Sequence, residues 1–549
     1  VDVSIGTIWE AVARRLPGAV AISEPGRDHT YAEFEDRAAR LATALERAGV
    51  GPGDTVACYL YNGAAYLETV FAAFKLGAVP VNANYRYTGK ELSAVLRDAD
   101  AAAIVFSGEL AAHVGHAART VPTLRLLVRA GEPAGEPAGP PATGLDDLLA
   151  GTEPRPAASR PSTDRLFMYT GGTTGRPKGV IWRQGDLLHS LTVPIFRPLG
   201  VSELPSTLDE AARIAETAHA EGRAPATLPV VPLMHATGLF NSMGALLTGG
   251  RVITTRQGGL DARHVWETVA ARRAGTIIVA GNAVCRPLVD ELVAAQDAGR
   301  PYDLTSLSSV ISSGTVLSDG LKRALHERAD VTIIDALASS EGGPFAFAIT
   351  SFTGDLPSRF HPVPATKVIS SDGAEIAPGS GETGVLAYAG PLPLGYHKDP
   401  ARTEATFRVI DGVRHSVPGD LARVEEDGAI TFLGRDSGVI NTGGEKVFPQ
   451  EVENALLAHP GVNDCVVVGV RDETWGERVS AVVATGDGTL TERELQDWVR
   501  RGLAGYKVPR AIVLLPALRR TPTGKLEVAW ARRVIEEGGG APGALRSGR

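Results

Sequence analysis

One stretch carries the residue types of a loop that holds phosphates: Phe167-Met168-Tyr169-Thr170-Gly171-Gly172-Thr173-Thr174-Gly175-Arg176-Pro177-Lys178-Gly179-Val180. Glycines let backbone N–H groups come close to a ligand, threonine hydroxyls add donors, and Lys178 adds a mobile positive charge. Such a set suits a polyphosphate. It is not a Walker A loop, because Pro177 precedes Lys178 and Gly179 follows it where Ser or Thr would stand. A polar surface loop after a strand is an equally ordinary reading of a Gly-Thr cluster taken alone. Taken alone, His235 in Pro232-Leu233-Met234-His235-Ala236-Thr237-Gly238 is a packed or exposed histidine. Cys285 has no base assigned near it and reads as packing, not as a nucleophile.

The elements that must position the loop alternate between strand and helix. Leu166–Tyr169 reads as a strand emptying into it. Upstream, Thr30-Tyr31-Ala32-Glu33 has capping-box spacing, and Tyr31, Phe34, Ala38, Leu41 and Leu45 follow with helical periodicity. Strands are predicted at 56–60, 79–81, 102–106 and 124–128, and a helix at 65–76. Downstream, strands at 251–254, 276–280, 309–312 and 331–335 alternate with helices at 262–272, 283–296 and 320–328. This is the pattern of mostly parallel sheets with helices on their faces. Residues 130–162, rich in Pro and Gly, read as a surface loop, and 209–221 as an exposed helix. From about 360, short strands separated by turn residues suggest a small antiparallel sheet or barrel. Gly434–Gly438 reads as a linker to a compact α+β unit, in which Thr491-Glu492-Arg493-Glu494 is a second capping box.

With 549 residues, two or more domains are the natural expectation. A net charge of −8 argues against a nucleic-acid partner for the whole chain. Cys58, Cys285 and Cys465 are far apart and odd in number, which fits a reducing compartment and no disulfide framework. No secretory signal and no apolar run of membrane-spanning length are visible, so a cytoplasmic protein with no membrane partner is expected.

Several motifs stand in one order over roughly residues 5–535: YTGGTTGRPKG at 169–179, GDLARVEEDGAITFLGR at 419–435, INTGGEKVFPQEVE at 440–453 and TPTGK at 521–525. Together they resemble the adenylate-forming superfamily of acyl-CoA synthetases, luciferases and adenylation domains. Within it, the wording looks most like actinobacterial CoA ligases for fatty acids and steroid side chains, and the related diazotases. The resemblance implies a large N-terminal domain, 1–434, of α/β sheets with a small β-barrel-like part. A small mobile α+β domain, 435–549, would follow, its tail 537–549 disordered.

It also implies the site. Thr170, Gly171, Gly172, Thr173, Thr174, Gly175 and Lys178 would hold the β- and γ-phosphates of ATP. Glu341 would bind Mg²⁺, with Ser340 nearby. Asp420 would take the ribose hydroxyls and Arg435 would add a contact. Ser313, Gly314, Ala336 and Leu337 would wall the adenine and acyl sites. His235, with Gly238, Asn282 and Ser339, would form the acid pocket. Lys525 would swing in on the C-terminal domain, Ser437 would be the hinge, and Gly443 and Gly444 would line a channel for CoA. The physical logic agrees. A carboxylate attacking the α-phosphorus of ATP needs cations and donors to disperse charge, a hard oxygen suits Mg²⁺, and a carboxylate suits a vicinal diol.

Three features depart from the usual pattern. Leu337 replaces an aromatic residue, Ala338 a glycine, and Ser437 an Asp or Lys. Asn282, Cys285 and Ser339 add polar groups to the acid pocket, which points to a small aromatic or polar acid. The implied activity is AMP-forming acid:CoA ligation, by a monomer or homodimer. Two other readings stand beside it: a diazotase of secondary metabolism that activates nitrite for an aryl amine, and a degenerate nucleotide-binding protein.

Overall fold

The computed structural model of the chain describes residues 4–132, 142–170, 178–201, 203–255, 259–486, 490–520 and 526–538. Local signals behave as their chemistry dictates. Thr30 accepts from Glu33 N and Glu33 reaches back to Thr30 N, so helix Tyr31–Arg47 starts in a full capping box and buries Phe34, Ala38, Leu41 and Leu45. Strand Thr55–Tyr59 is buried at every position, as a central strand covered on both faces must be.

Two large sheets carry the α/β part. The first has eight strands in the order 395–396, 178–183, 165–170, 79–82, 55–59, 101–107, 126–130 and 143–144. Its pairs are parallel except at the end where 178–183 lies antiparallel between 165–170 and 395–396. The second has nine strands in the order 361–362, 342–350, 332–339, 309–313, 276–279, 226–229, 251–253, 20–24 and 27–30, with a parallel centre. The expected small β part is a six-stranded antiparallel sheet that includes strands Asp420–Val424 and Ile430–Arg435. A fourth sheet begins at Ile440. With helices Pro449–Leu457 and Glu492–Gly502 it encloses its own core of Val452, Leu456, Val483, Leu495 and Val499. No helix among the described residues is long and apolar enough to cross a membrane.

Three expectations need correction. The surface loop 130–162 contains strand Thr143–Gly144 and helix Leu145–Ala150, whose Leu145 and Leu149 are buried. The helix expected to be exposed at 209–221 spans Leu208–Ala220 and is half-buried: Ala211, Ala212, Ala215 and Ala218 face inward, and the helix packs on Ile5–Arg15. Small side chains on one face mislead a reading based on its charged residues. Gly434 and Arg435, read as linker, end a strand; the chain changes sheets between Arg435 and Ile440. Residues 539–549 of the expected tail lie outside the described residues.

Helix Pro449–Leu457 sets a half-buried acid, Glu453, against the fourth sheet. Glu453 accepts a hydrogen bond from Val467 N at 2.9 Å, and burial, with Asp464 adding repulsion, pushes its carboxyl up to about 7. The folded chain therefore holds a proton there that the unfolded chain gives up near pH 4.5. Between those values each rise in pH costs stability, up to about 3 kcal/mol once Glu453 is ionised. Glu453→Gln keeps the acceptor and removes the titration. Its melting temperature is expected to exceed the parent's at pH 8 and to match it at pH 5; equal differences at both would refute the assignment.

Candidate active site

The phosphate-type loop closes a hairpin. Thr170 ends strand Arg165–Thr170, Lys178 begins strand Lys178–Arg183, and the two are register partners. Gly171, Gly172, Thr173, Thr174 and Gly175 lie outside the described residues. The base of the hairpin is held by Tyr169, whose hydroxyl donates to Asp98 Oδ2 at 2.5 Å. Burial first, then the Asp98 carboxylate, push this phenol well above its ordinary range, so it stays a donor. The Tyr169 ring occupies the space a side chain at position 179 would need: a Cβ on Gly179 would sit 2.9 Å from ring carbons.

Asn82, which no motif reading singled out, ties this hairpin to the segment of His235. Its Oδ1 accepts from Tyr169 N at 2.6 Å, and its Nδ2 donates to Tyr169 O at 2.9 Å and to Met234 O at 2.7 Å. Asn62 does the same one segment back, donating to Pro229 O and Val231 O and accepting from Leu233 N. The chain is thereby delivered to His235, the N-cap residue of helix Ala236–Leu247. Gly238 lets that helix start close to the preceding loop, since a Cβ there would meet Pro232 O at 2.5 Å.

Glu341 lies in the turn between strands Thr332–Ser339 and Gly342–Thr350 of the nine-stranded sheet, yet the hairpin of the other sheet grips it. Tyr396 pairs with Val180 and donates its hydroxyl to Glu341 Oε1 at 2.8 Å. Trp182 donates its indole N–H to Ser340 O at 3.1 Å. Burial raises the Tyr396 phenol, and the Glu341 charge raises it further. Among the described residues no cluster of three metal-binding side chains exists. Glu341 presents a carboxylate, a hard-oxygen donor, at this turn.

Asp420 and Arg435 are register partners on adjacent strands, with Arg435 Nε donating to Asp420 Oδ1 at 3.1 Å. Asp420 is buried and Arg435 half-exposed. Burial opposes the Arg435 charge, but Asp420 and then Glu341 outweigh it and hold the guanidinium firmly protonated. The electrostatic reach of Arg435 to Glu341 and Tyr396 links the six-stranded sheet to the phosphate hairpin.

Ser313, Gly314, Ala336 and Asn282 lie at the carboxyl ends of parallel-paired strands, where open α/β sheets bind ligands. Ser313 donates to Ala336 O at 3.0 Å across paired strands, followed by Gly314 at φ +92 with open space where a Cβ would be. Leu337 is partly buried under the six-stranded sheet. Ser339 donates to Gly342 O and accepts from Glu341 N, which builds the turn that presents Glu341. Asn282, buried, accepts from Ser318 N at 2.9 Å. Cys285 is sealed in the core beside Leu288 and Val289. Gly443 and Gly444, both at positive φ, form the two-residue turn of a hairpin, with Trp475 closing over Gly443. Ser437 lies in the single turn Asp436–Gly438. Lys525 lies outside the described residues.

The hairpin, the acid gripped beside it and the Asp420–Arg435 pair bring the candidate residues of several strands together. Comparison with known proteins decides the family. The model of the AMP-binding enzyme matches residues 9–397, and that of the AMP-binding enzyme C-terminal domain matches 451–525. The chain belongs to the AMP-binding enzymes. This AMP-binding enzyme is 38% identical over 539 residues to 3-oxocholest-4-en-26-oate–CoA ligase of Rhodococcus rhodochrous, covering 96% of this chain and 95% of that protein. It is 33% identical to feruloyl-CoA synthase of an Amycolatopsis species, covering 95% and 97%. An anthranilate CoA ligase, AuaEII, in complex with anthranoyl-AMP shares its fold, with a TM-score of 0.80 at 22% identity, covering 98% and 97%. The activity of this AMP-binding enzyme is acid:CoA ligation: ATP and a carboxylic acid form an acyl-adenylate and pyrophosphate, and the acyl group passes to CoA.

The grip on Glu341 gives a direct check. Tyr396→Phe keeps the ring and removes the hydrogen bond to the carboxylate. Adenylation by this variant is expected to slow about tenfold, with thermal stability nearly unchanged, as measured by ATP–pyrophosphate exchange. An unchanged rate would show that the hydroxyl does not orient Glu341.

Proposed function

We propose that the crevice binds ATP with its triphosphate on the hairpin at Thr170 and Lys178, its ribose on Asp420 and its adenine against Gly314, Ala336 and Leu337. Glu341, with Ser340 beside it, would hold Mg²⁺, which supplies charge neutralisation on the phosphates. His235 stands where the acid's carboxylate enters. The observation that carries this reading is a pair of hydrogen bonds, Arg435 to Asp420 and Tyr396 to Glu341, the second on a strand paired with the phosphate hairpin. Attack of the carboxylate on the α-phosphorus brings two anions together, and fixed cations and donors are worth most in a site that excludes water. Lys525 is the second cation for this step. Residues after the Asp436–Gly438 turn form a second unit that turns about Ser437, bringing Gly443 and Gly444 toward the acyl-adenylate for attack by CoA.

The acid is one with a bulky apolar body. Polar groups that suggested a small aromatic or polar acid have partners within the fold: Asn282 Oδ1 accepts from Ser318 N, Ser339 builds its own turn, and Cys285 is packed in the core. Relatives at 36–38% identity named for steroid side-chain or medium-chain acids support the same reading. Pyrophosphate exchange over an acid panel, with AMP release followed with and without CoA, tests it. Medium-chain and steroid side-chain acids are expected to outrun benzoate and anthranilate, with AMP release dependent on CoA. The reverse order would restore the small polar acid. AMP formed from nitrite and an aminobenzoate without CoA would move the reaction to diazotisation.

Lys525→Ala is expected to lower exchange by about 10²–10³ and to spare thiolation of preformed acyl-adenylate. Equal loss of both would refute the role given to Lys525.

A further inference from the structure

Strand Val79–Asn82 pairs with strand Arg165–Thr170 at Val81 and Phe167. One residue past Val81, a side chain carries the ladder on. The Asn82 carboxamide meets both backbone groups of Tyr169, accepting from its N–H and donating to its C=O, as a neighbouring strand would. Its second N–H goes to Met234 O, on the segment that leaves strand Ala226–Pro229 of the nine-stranded sheet. The three bonds define the amide's orientation, with Oδ1 toward an N–H and Nδ2 toward two carbonyls. An aspartate of the same size would set an oxygen against those two carbonyls. Asn82 is buried, so all three bonds are made away from water, where each is electrostatically stronger.

Both ends of this bridge stop one residue short of the chemistry. Tyr169 precedes Thr170, where the phosphate hairpin begins, and Met234 precedes His235. Tyr169 is held in turn by Asp98, and Gly238 seats the first turn of the His235 helix against Pro232 O, so a displacement at Met234 passes on to His235. We propose that Asn82 is a positioning residue for adenylation, setting the separation between the triphosphate and the acid's carboxylate. This rests on the reading that the hairpin takes the triphosphate and that the carboxylate enters at His235. Spacing of this kind governs the rate because the reacting atoms must lie about 3–3.5 Å apart, and a misplacement of about 1 Å costs about 10²-fold. Asn62 holds the same segment further back, from Pro229 to Leu233, and supplies the comparison.

A ligand that joins the two sites reads the spacing directly. The probe is the acyl-sulfamoyl-adenosine of whichever acid gives the fastest pyrophosphate exchange, an uncleavable mimic of the acyl-adenylate. Asn82→Ala is expected to lower kcat for exchange about 10–10²-fold, with KM for ATP and for the acid each within about twofold, and to weaken the mimic about thirtyfold, beyond the two KM changes multiplied together. Asn82→Asp keeps the volume and the acceptor, and is expected to show the same pattern; it reports on the spacing if the alanine variant does not fold. Asn62→Ala is expected to weaken the mimic by no more than it raises KM for the acid. Unchanged affinity for the mimic, a loss equal to the two KM changes multiplied, or the same excess loss in Asn62→Ala would each overturn the proposal. His235→Ala, run beside them, isolates the premise. If it leaves KM for the acid unchanged, the reading of the acid's entry fails and the proposal falls with it. If it raises that KM while Asn82→Ala and Asn82→Asp behave as the parent, only the positioning role fails.

Discussion

Asp420→Ala is expected to lower kcat/KM for ATP about a thousandfold while leaving the fold intact. The carboxylate is buried and has one oxygen on Arg435, and in the proposed binding mode it accepts from the ribose hydroxyls. Each hydrogen bond to a charged group contributes about 1.5–3 kcal/mol, so losing two accounts for the size. The alanine also leaves Arg435 without its nearest anion. Comparing ATP with 2′-deoxy-ATP makes the prediction specific. The parent should discriminate between them by at least about tenfold, and the variant should hardly distinguish them. A variant that keeps the parent's discrimination would show that the ribose is read elsewhere.

Lys322→Ala is expected to have the largest effect on stability, about 3–5 kcal/mol, because it strands a buried anion. The Lys322 ammonium is 1% exposed and contacts Asp335 Oδ2 and Ser358 Oγ, each at 2.8 Å. Burial pushes the Asp335 carboxyl up, and Lys322 is the main pull against it. In the variant that carboxyl rises further, so the native state holds its proton to higher pH. The deficit should then shrink as pH falls from 8 to 5, the direction in which a raised acid regains stability. Lys322→Met combined with Asp335→Asn should recover part of the loss, since a neutral pair needs no compensation. Chemical denaturation at both pH values checks this; a deficit that is the same at each would mean Asp335 stays ionised. Because Asp335 precedes Ala336 on a strand that walls the crevice, a rise in KM for ATP should accompany the loss.

What the chain reveals before folding depends on how far each signal reaches along it. Thr30 and Thr491 cap their helices as their spacing foretells, because a capping box is closed within four residues. Helix Ala262–Arg272 and strand Thr366–Ile369 have the limits that periodicity and turn residues imply. The phosphate hairpin, Glu341, Asp420 and Arg435 are legible for a different reason: each sits in a distinctive word. Asn82, Trp182 and Tyr396 are not. They hold the site through hydrogen bonds to residues far away in sequence, partners that the chain around each of them does not record. Asn282 and Ser339 suggest a polar pocket by composition; in the fold Asn282 Oδ1 accepts from Ser318 N and Ser339 donates to Gly342 O, contacts that composition does not record.

The strand from Lys178 to Arg183 has a consequence for how such an enzyme can change. One end of it closes the phosphate hairpin, and its middle holds Tyr396 and Trp182, which fix the position of Glu341. In the proposed binding mode, six residues of extended chain therefore set the spacing between the phosphate loop and the acid assigned to Mg²⁺. Deleting one of them would turn Trp182 to the opposite face of the sheet and break that spacing outright. The acid side has no such spacer. Helix Gly281–Asp297 and the start of helix Ala236–Leu247 belong to other parts of the chain. In the proposed binding mode, new acids are accommodated by altering those walls while the strand that positions Glu341 stays untouched.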